Sequence, residues 1–121
     1  MADEISVTTQ VRLNNGNLTD DFAETVSHDQ TTARMLCSVL DVGTTEETIA
    51  LGDIAAPQLI FLTNLDATNY VEFGVDSSGF KPVGRVQPGK SVGPIPAAAS
   101  VTYQLKANAA ACDVKVRIYE G

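Results

Sequence analysis

The last strand-like segment of the chain shows the pattern that most limits its fold. Between residues 112 and 119, every second residue is apolar and the residues between them are mostly polar. The apolar set is Cys112, Val114, Val116 and Ile118, and the alternate set is Asp113, Lys115, Arg117 and Tyr119. A period of two places alternate side chains on opposite faces of a β-strand. The segment therefore predicts a strand with one face in a core and one face in solvent.

Similar short segments recur along the rest of the chain, and turn-forming residues separate them about every ten residues. Strands are predicted at residues 4–13, 35–42, 48–51, 58–63, 70–75, 80–86, 91–95, 101–106 and 112–119. No amphipathic helix of ordinary length is apparent. Many short strands with regular turns are typical of all-β domains. We expect an antiparallel β-sandwich (jelly-roll-like) or a barrel of eight to ten short strands.

Some segments allow sharper predictions. Met35–Val42 is apolar at both odd and even positions, which predicts a strand covered on both faces. Pro82 cannot donate a ladder hydrogen bond, so residues 80–86 should form an edge or bulged strand. Gln87-Pro88-Gly89-Lys90 fits a type II turn.

The first 30 residues are less regular. Residues 4–13 predict a half-buried strand, and Asn14–Asn17 predicts a turn. Leu18, Phe22 and Val26 have the spacing of a helical face, but residues 25–28 have the composition of a strand. We favour an extended segment or an irregular strand over residues 18–30. The predicted organisation is a single domain, with an N-terminal strand and possible extended arm at 1–30 and a β-sandwich at 31–121.

The composition indicates an aliphatic core. Apolar residues make up 44% of the 121 residues, whereas aromatic residues make up 6% and tryptophan is absent. This apolar content argues against wholesale disorder. We expect most of the seven aromatic side chains to lie in the core.

Charge is distributed unevenly along an acidic chain. The net charge is −7, and it divides into −8 for residues 1–56 and +1 for residues 57–121. An acidic chain is a poor partner for nucleic acid or an anionic membrane surface. The acidic first half indicates either a solvated surface or electrostatic complementarity to a partner or a second copy. The first residues lack the pattern of a signal peptide, so we expect synthesis and folding in a cytoplasm.

No residue pattern indicates catalysis or a cofactor. His28 is the only histidine, and its neighbours Ser27 and Asp29 would point to the opposite face of a strand. Asp66 and Asp76 lie in loops that can bind Ca²⁺, although such residues are more often ordinary turn formers. We assign no catalytic, cofactor-binding or metal-binding residue and expect no enzyme activity.

The two cysteines, Cys37 and Cys112, each lie in an apolar strand-like segment. We expect both to be buried free thiols that act as small apolar side chains. A structural disulfide between them is the less favoured alternative.

Parts of the last 70 residues resemble a class of small virion proteins of tailed bacteriophages. The residues that carry the resemblance are Leu51-Gly52-Asp53, residues 62–74 (LTNLDATNYVEFG), the Pro88-Gly89 turn and residues 116–120 (VRIYE). The resemblance implies a capsid cement (decoration) protein that binds the major capsid protein on the outside of the head shell, commonly as a trimer. An alternative is a β-module of the tail, baseplate or fibre that takes part in attachment. Either role implies a virion protein made in the host cytoplasm.

Overall fold

A computed structural model describes residues 3–121, which form ten strands and no helix. All strand pairs are antiparallel, and the predicted all-β sandwich is confirmed. The strands are β1 (Ile5–Asn15), β2 (Leu18–His28), β3 (Met35–Val42), β4 (Glu47–Thr48), β5 (Pro57–Asn64), β6 (Val71–Asp76), β7 (Phe80–Val86), β8 (Ser91–Pro96), β9 (Tyr103–Ala107) and β10 (Cys112–Glu120).

The chain divides into two compact units. The first unit ends at Thr32 and contains the hairpin of β1 and β2; the second is Ala33–Gly121. The second unit holds two four-stranded sheets, with strand orders β3-β10-β5-β8 and β4-β9-β6-β7. The sequence-based division at residue 30 stays a prediction about domain organisation.

The core of the second unit is aliphatic, as the composition predicts. Three inward side chains of β10, those of Val114, Val116 and Ile118, are at most 1% exposed. They pack in one cluster with Ile60 and Leu62 of β5 and with apolar residues of the other sheet. The expectation for the aromatic residues is wrong: all seven are partly or largely exposed. Six of them are half-buried, and Phe22 is 45% exposed.

Strand β7 confirms the prediction drawn from Pro82. It is an edge strand, and its pairing with β6 shifts register between Phe73 and Gly74, opposite Pro82. Gly74 lies so close to the β7 backbone that an added Cβ would overlap the carbonyl group of Lys81. The turn at Gln87–Lys90 also forms as predicted, since the Lys90 amide donates to the Gln87 carbonyl at 3.0 Å and Gly89 has a φ of 69°.

Strand β3 does not match its prediction. It is the edge strand of its sheet, and one face is open: Met35 is 49% exposed and Val39 is 58% exposed. The inner face carries Leu36, Leu40 and Val42, which contact the core. The apolar residues on both faces therefore reflect one buried face and one exposed apolar face, instead of two buried faces.

The first unit also differs from expectation. Residues 18–28 form a regular strand that pairs with β1 without a register shift. Strand β1 is less buried than predicted, because Ile5 and Val7 are half-buried but Val11 and Leu13 are exposed. The predicted strand at residues 48–51 is shorter than expected and ends at Thr48.

Replacement of Gly74 tests the close β6–β7 pairing. Gly74→Ala should lower the free energy of unfolding by about 2–4 kcal/mol, because backbone atoms must move to admit the new methyl group. Urea unfolding measures the effect. Gly43→Ala is the matched control, since the nearest atom to its added Cβ lies at 3.7 Å. Equal stability of the two variants would contradict this account.

Candidate functional site

The β1–β2 hairpin is long and regular. Its two strands have 11 residues each and are joined by Gly16 and Asn17, with a φ of 60° at Gly16. Glycine with positive φ at the first position of a two-residue loop is typical of a type II′ turn. At the open end, the Asp3 amide donates to Asp29 Oδ1 at 2.8 Å, and the Gln30 amide donates to Glu4 Oε1 at 3.1 Å. These contacts fix the pairing of the strands at both ends.

One face of the hairpin is apolar and exposed. The cross-strand pairs on this face are Ile5 with His28, Val7 with Val26, Thr9 with Glu24, Val11 with Phe22, Leu13 with Asp20 and Asn15 with Leu18. On this face the most exposed large apolar side chain is Leu18 at 61%, and Val11 is 48% exposed. Two acids, Asp20 and Glu24, interrupt the apolar surface. We call these twelve residues the apolar hairpin face.

The opposite face of the hairpin is polar. It pairs Ser6 with Ser27, Thr8 with Thr25, Gln10 with Ala23, Arg12 with Asp21 and Asn14 with Thr19. The hydroxyl groups of Thr8 and Thr25 are 3.1 Å apart and share a hydrogen bond. The hairpin is therefore amphipathic, with a polar face suited to water and an apolar face suited to a protein surface.

A second exposed surface with apolar side chains lies on the outer face of the β3-β10-β5-β8 sheet. Its side chains are Met35, Cys37 and Val39 of β3, Phe61 of β5, and Lys115, Arg117 and Tyr119 of β10. The rings of Phe61 and Tyr119 contact edge to face, with centroids 5.8 Å apart. Asp41 and Asp113 pair with each other at one end of this surface. We call the seven listed residues the β3–β10 face.

The outer face of the β4-β9-β6-β7 sheet carries mainly charged and polar side chains. Glu72 of β6 lies between Arg85 of β7 and Lys106 of β9, so opposite charges are neighbours across three strands. Arg85 also lies over the ring of Tyr70, 4.2 Å from its centroid. This face is polar, and the side chains of Glu72, Arg85 and Lys106 together carry one positive charge in excess.

The two cysteines occupy different environments. Cys112 is buried, and Cys37 is exposed on the β3–β10 face, so the expectation that both are buried is wrong for Cys37. Both are free thiols, and the alternative of a disulfide is also wrong. Burial raises the pKa of the Cys112 thiol, and nearby Asp66 and Asp113 raise it further.

The acidic loops use their carboxylates to hold the backbone. Asp66 Oδ2 accepts the amides of Asn69 at 2.6 Å and Thr68 at 2.9 Å, and these bonds lower the pKa of the carboxyl group. Asp76 Oδ1 accepts the Gly79 amide at 3.1 Å. Within residues 3–121, no three His, Cys, Asp or Glu side chains are grouped so that they could hold a metal ion.

Asn64 anchors the same loop from the core. Its side chain is fully buried, its Nδ2 donates to the carbonyls of Asn69 and Val86, and its Oδ1 accepts the Asp66 amide. A buried polar group that is fully hydrogen-bonded specifies local geometry. These contacts give Asn64 a structural role in the loop between β5 and β6.

His28 is half-buried at the end of β2, opposite Ile5. Ser27 lies on the other face of the hairpin, and Asp29 Oδ1 accepts the Asp3 amide. The three neighbours in sequence therefore do not converge on one point.

Glu120 joins the C-terminal strand to the loop before β5. Its Oε2 accepts the amides of Ala55 at 2.6 Å and Ala56 at 3.0 Å, and its Oε1 lies 3.8 Å from Arg34 Nη1. The amide of Ala56 is the largest cause that lowers the pKa of Glu120; the Ala55 amide and Arg34 act in the same direction, whereas burial opposes them. No pattern in the sequence indicates this contact. Glu120 continues the inward alternation of β10, and its partner Ala56 lies in a loop 64 residues earlier.

No family model, curated protein or solved structure matches the chain. Within residues 3–121, no helix is long and apolar enough to cross a membrane. The candidate functional surfaces therefore follow from the geometry of the chain itself: the apolar hairpin face and the β3–β10 face.

The contact at Glu120 predicts a specific pH dependence of stability. Because its pKa is lower in the folded state, the carboxylate stabilises the fold above about pH 4.3, the ordinary value for glutamate, and loses this effect as the pH falls through the lowered value. Glu120→Gln should therefore be less stable than the wild type at pH 7, and the difference should shrink at pH 3. Urea unfolding at both pH values measures it, with Glu46→Gln as the control for net charge. A difference that stays constant with pH would contradict the assignment.

Thiol labelling tests the placement of the cysteines. In the folded protein one thiol should react within seconds with a soluble disulfide reagent, and the second should react only on unfolding, since burial protects Cys112. Cys37→Ser should remove the fast phase, and Cys112→Ser should remove the slow phase. Two fast thiols in the wild type would show that the β10 inner face is open.

Proposed function

We propose that the chain is a structural protein of a tailed-phage virion, namely a cement protein that binds the major capsid protein and stabilises the head shell. The resemblance over Leu51–Asp53, residues 62–74 and residues 116–120 supports the virion assignment. Such a protein acts by binding the head shell and stabilising it, and it catalyses no reaction. We propose no enzyme activity, cofactor or metal.

The contacts of the resembling segments are consistent with a structural role. Leu62 and Val71 lie in the core, Asn64 and Asp66 hold the β5–β6 loop, and Glu120 holds the loop before β5. Each contributes to a rigid β-domain. A rigid, hydrogen-bonded sandwich suits a particle protein that must persist outside a cell.

The observation that carries the proposal is the apolar hairpin face. Five of its side chains, Val11, Leu13, Leu18, Phe22 and Val26, are 40–61% exposed. Exposed apolar side chains gathered on one face favour a protein contact, and a protein that assembles on a shell needs such a contact. We also propose a homo-oligomer, with the trimer that the resemblance implies, located in the virion and in contact with neither nucleic acid nor membrane.

The proposal is tested on phage heads that lack the chain. Added wild-type protein should bind at a copy number that scales with the major capsid protein and should raise the temperature at which heads release DNA. Phe22→Asp should bind at least about tenfold more weakly, because a charge replaces an apolar contact.

Ala23→Asp is the matched control, since it adds the same charge to the polar face one residue away. It should bind like the wild type. Recovery of a few copies in the tail fraction alone would overturn the head assignment in favour of the tail or baseplate alternative. Equal binding of Phe22→Asp and the wild type would show that the apolar hairpin face does not bind the shell.

A further inference from the structure

We propose that the open edge of β3 binds an extended segment of another protein as an additional antiparallel strand. The segment becomes the fifth strand of the β3-β10-β5-β8 sheet. This contact lies within the second unit, uses a different surface from the apolar hairpin face, and does not depend on the proposed role in a capsid.

The second unit has four edge strands, and three of them are poorly suited to further pairing. Strand β4 has two residues. Strand β7 contains Pro82 and a register shift. Strand β8 contains Pro94 and Pro96, which have no N–H to donate, and its pairing with β5 also shifts register. Short strands, prolines and bulges are the usual protections of a sheet edge against other chains.

Strand β3 has none of these protections. Its eight residues, MLCSVLDV, include neither proline nor glycine, and its register with β10 is unbroken from Met35 to Val42. Its one charged residue is Asp41, near its end. An edge strand of this length, apolar and free of bulges, is a template for a further strand. The comparison of the four edges therefore selects β3.

The hydrogen bonds around β10 show which backbone groups of β3 point to its open edge. The Glu120 amide donates to the Arg34 carbonyl at 3.1 Å, and the Leu65 amide donates to the Asp113 carbonyl at 2.9 Å. Even-numbered residues of β10 therefore bond toward β3, and odd-numbered residues bond toward β5. By the register of the pair, the even-numbered residues of β3 bond to β10. The N–H and C=O groups that point to the open edge belong to Met35, Cys37, Val39 and Asp41.

These backbone groups select a polypeptide strand as the occupant. They present N–H donors and C=O acceptors in the repeat that another extended backbone matches from about 4.8 Å away. In strand addition of this kind, main-chain hydrogen bonds supply the affinity, and alternate side chains supply the specificity.

The charges beside the edge specify the side chains of the segment. Asp41 pairs with Asp113 at one end of β3, so the segment residue opposite Asp41 should be a cation. Cys37 pairs with Arg117, whose long side chain can extend over the small cysteine. The segment residue opposite Cys37 should therefore be an acid. Because an antiparallel segment runs from Asp41 toward Cys37, its cation precedes its acid by four residues.

The residue between these two positions should be apolar. It lies opposite Val39, which is 58% exposed and is the most exposed large apolar side chain of β3. A second β3 strand fits this pattern less well. Paired antiparallel through all four edge-facing residues, it would place Met35 opposite Asp41, so the acid pair would face no cation. The segment is therefore assigned to a different protein.

Binding of a designed peptide to the purified full chain tests the contact. The peptide KTVTETV, with both ends blocked, places its lysine opposite Asp41, its first valine opposite Val39 and its glutamate opposite Cys37. Fluorescence anisotropy of the labelled peptide should show saturable binding with a Kd below about 1 mM. The peptide ETVTKTV has the same composition with the two charges exchanged, and it should bind at least about threefold more weakly. Equal or tighter binding of the exchanged peptide would contradict the assigned direction and charge pattern.

Methylation of the peptide backbone distinguishes edge pairing from other modes of binding. The amide of the first valine in KTVTETV points to β3, so N-methylation there should weaken binding by about tenfold or more. The amide of the threonine after it points away from β3. N-methylation of that threonine is the matched control and should leave binding unchanged. Equal losses for the two methylated peptides would overturn the inference.

Amide hydrogen exchange locates the contact on the protein. In the free chain, the amides of Leu36 and Leu40 should be protected by their bonds to β10, whereas those of Cys37 and Val39 should exchange rapidly. Saturating KTVTETV should slow exchange at Cys37 and Val39 and leave β7 unchanged. Protection gained at another edge, or at no edge, would overturn the inference.

Substitutions in β3 give the last arm. Val39→Pro removes an N–H that points to the open edge and no bond to β10, so it should abolish peptide binding. Val39→Thr keeps that N–H and should bind like the wild type, and circular dichroism checks that both variants keep their strands. Asp41→Lys should reverse the preference between KTVTETV and ETVTKTV.

Light scattering of the chain alone tests the competing occupant. A dimer that forms without peptide and is lost in Val39→Pro would show that a second copy supplies the strand, and the inference would be wrong. The absence of saturable binding by KTVTETV would also overturn it.

Discussion

A β-sheet with one apolar face is stable in water only when another layer covers that face. The second unit satisfies this requirement internally, since Val114, Val116 and Ile118 of β10 face an equally aliphatic sheet that contains Val71 and Leu105. The hairpin has the same alternation of apolar and polar side chains, but its apolar residues are exposed. One physical rule therefore explains why the sandwich folds and why the exposed apolar side chains of the hairpin are candidates for a protein contact.

Strand β10 contributes side chains both to the core and to an exposed surface. Its inward side chains fill the core, its last inward residue Glu120 holds the Ala55–Ala56 backbone, and its outward side chains Lys115 and Arg117 supply the cations of the β3–β10 face. A central strand is held by hydrogen bonds on both sides, so it presents its outward side chains with little freedom. The β3–β10 face is thus built partly on a central strand of its sheet.

The sequence predicted the fold class well because strands such as β10 alternate cleanly, and because Pro82 and Pro88-Gly89 restrict the backbone locally. It predicted the exposed surfaces poorly. In β3, Met35 and Val39 are apolar, and no pattern within one chain distinguishes an apolar side chain that is buried in the core from one that is exposed. In β2, Leu18, Phe22 and Val26 alternate with Asp20 and Glu24 on one strand face, which imitates a helical spacing of four. The contacts of Asn64 and Glu120 depend on residues brought together by the fold, so periodicity carried no sign of them.

Hydrogen exchange of the chain alone and with phage heads that lack it tests most directly whether the hairpin makes the proposed contact. Amides of β10 should be protected in both samples, because their protection depends on the sandwich alone. Amides of β1 and β2 should exchange rapidly in dilute free protein and gain protection when heads are added. Hairpin amides that exchange equally in both samples would contradict the account, since the hairpin would then make no contact with the shell.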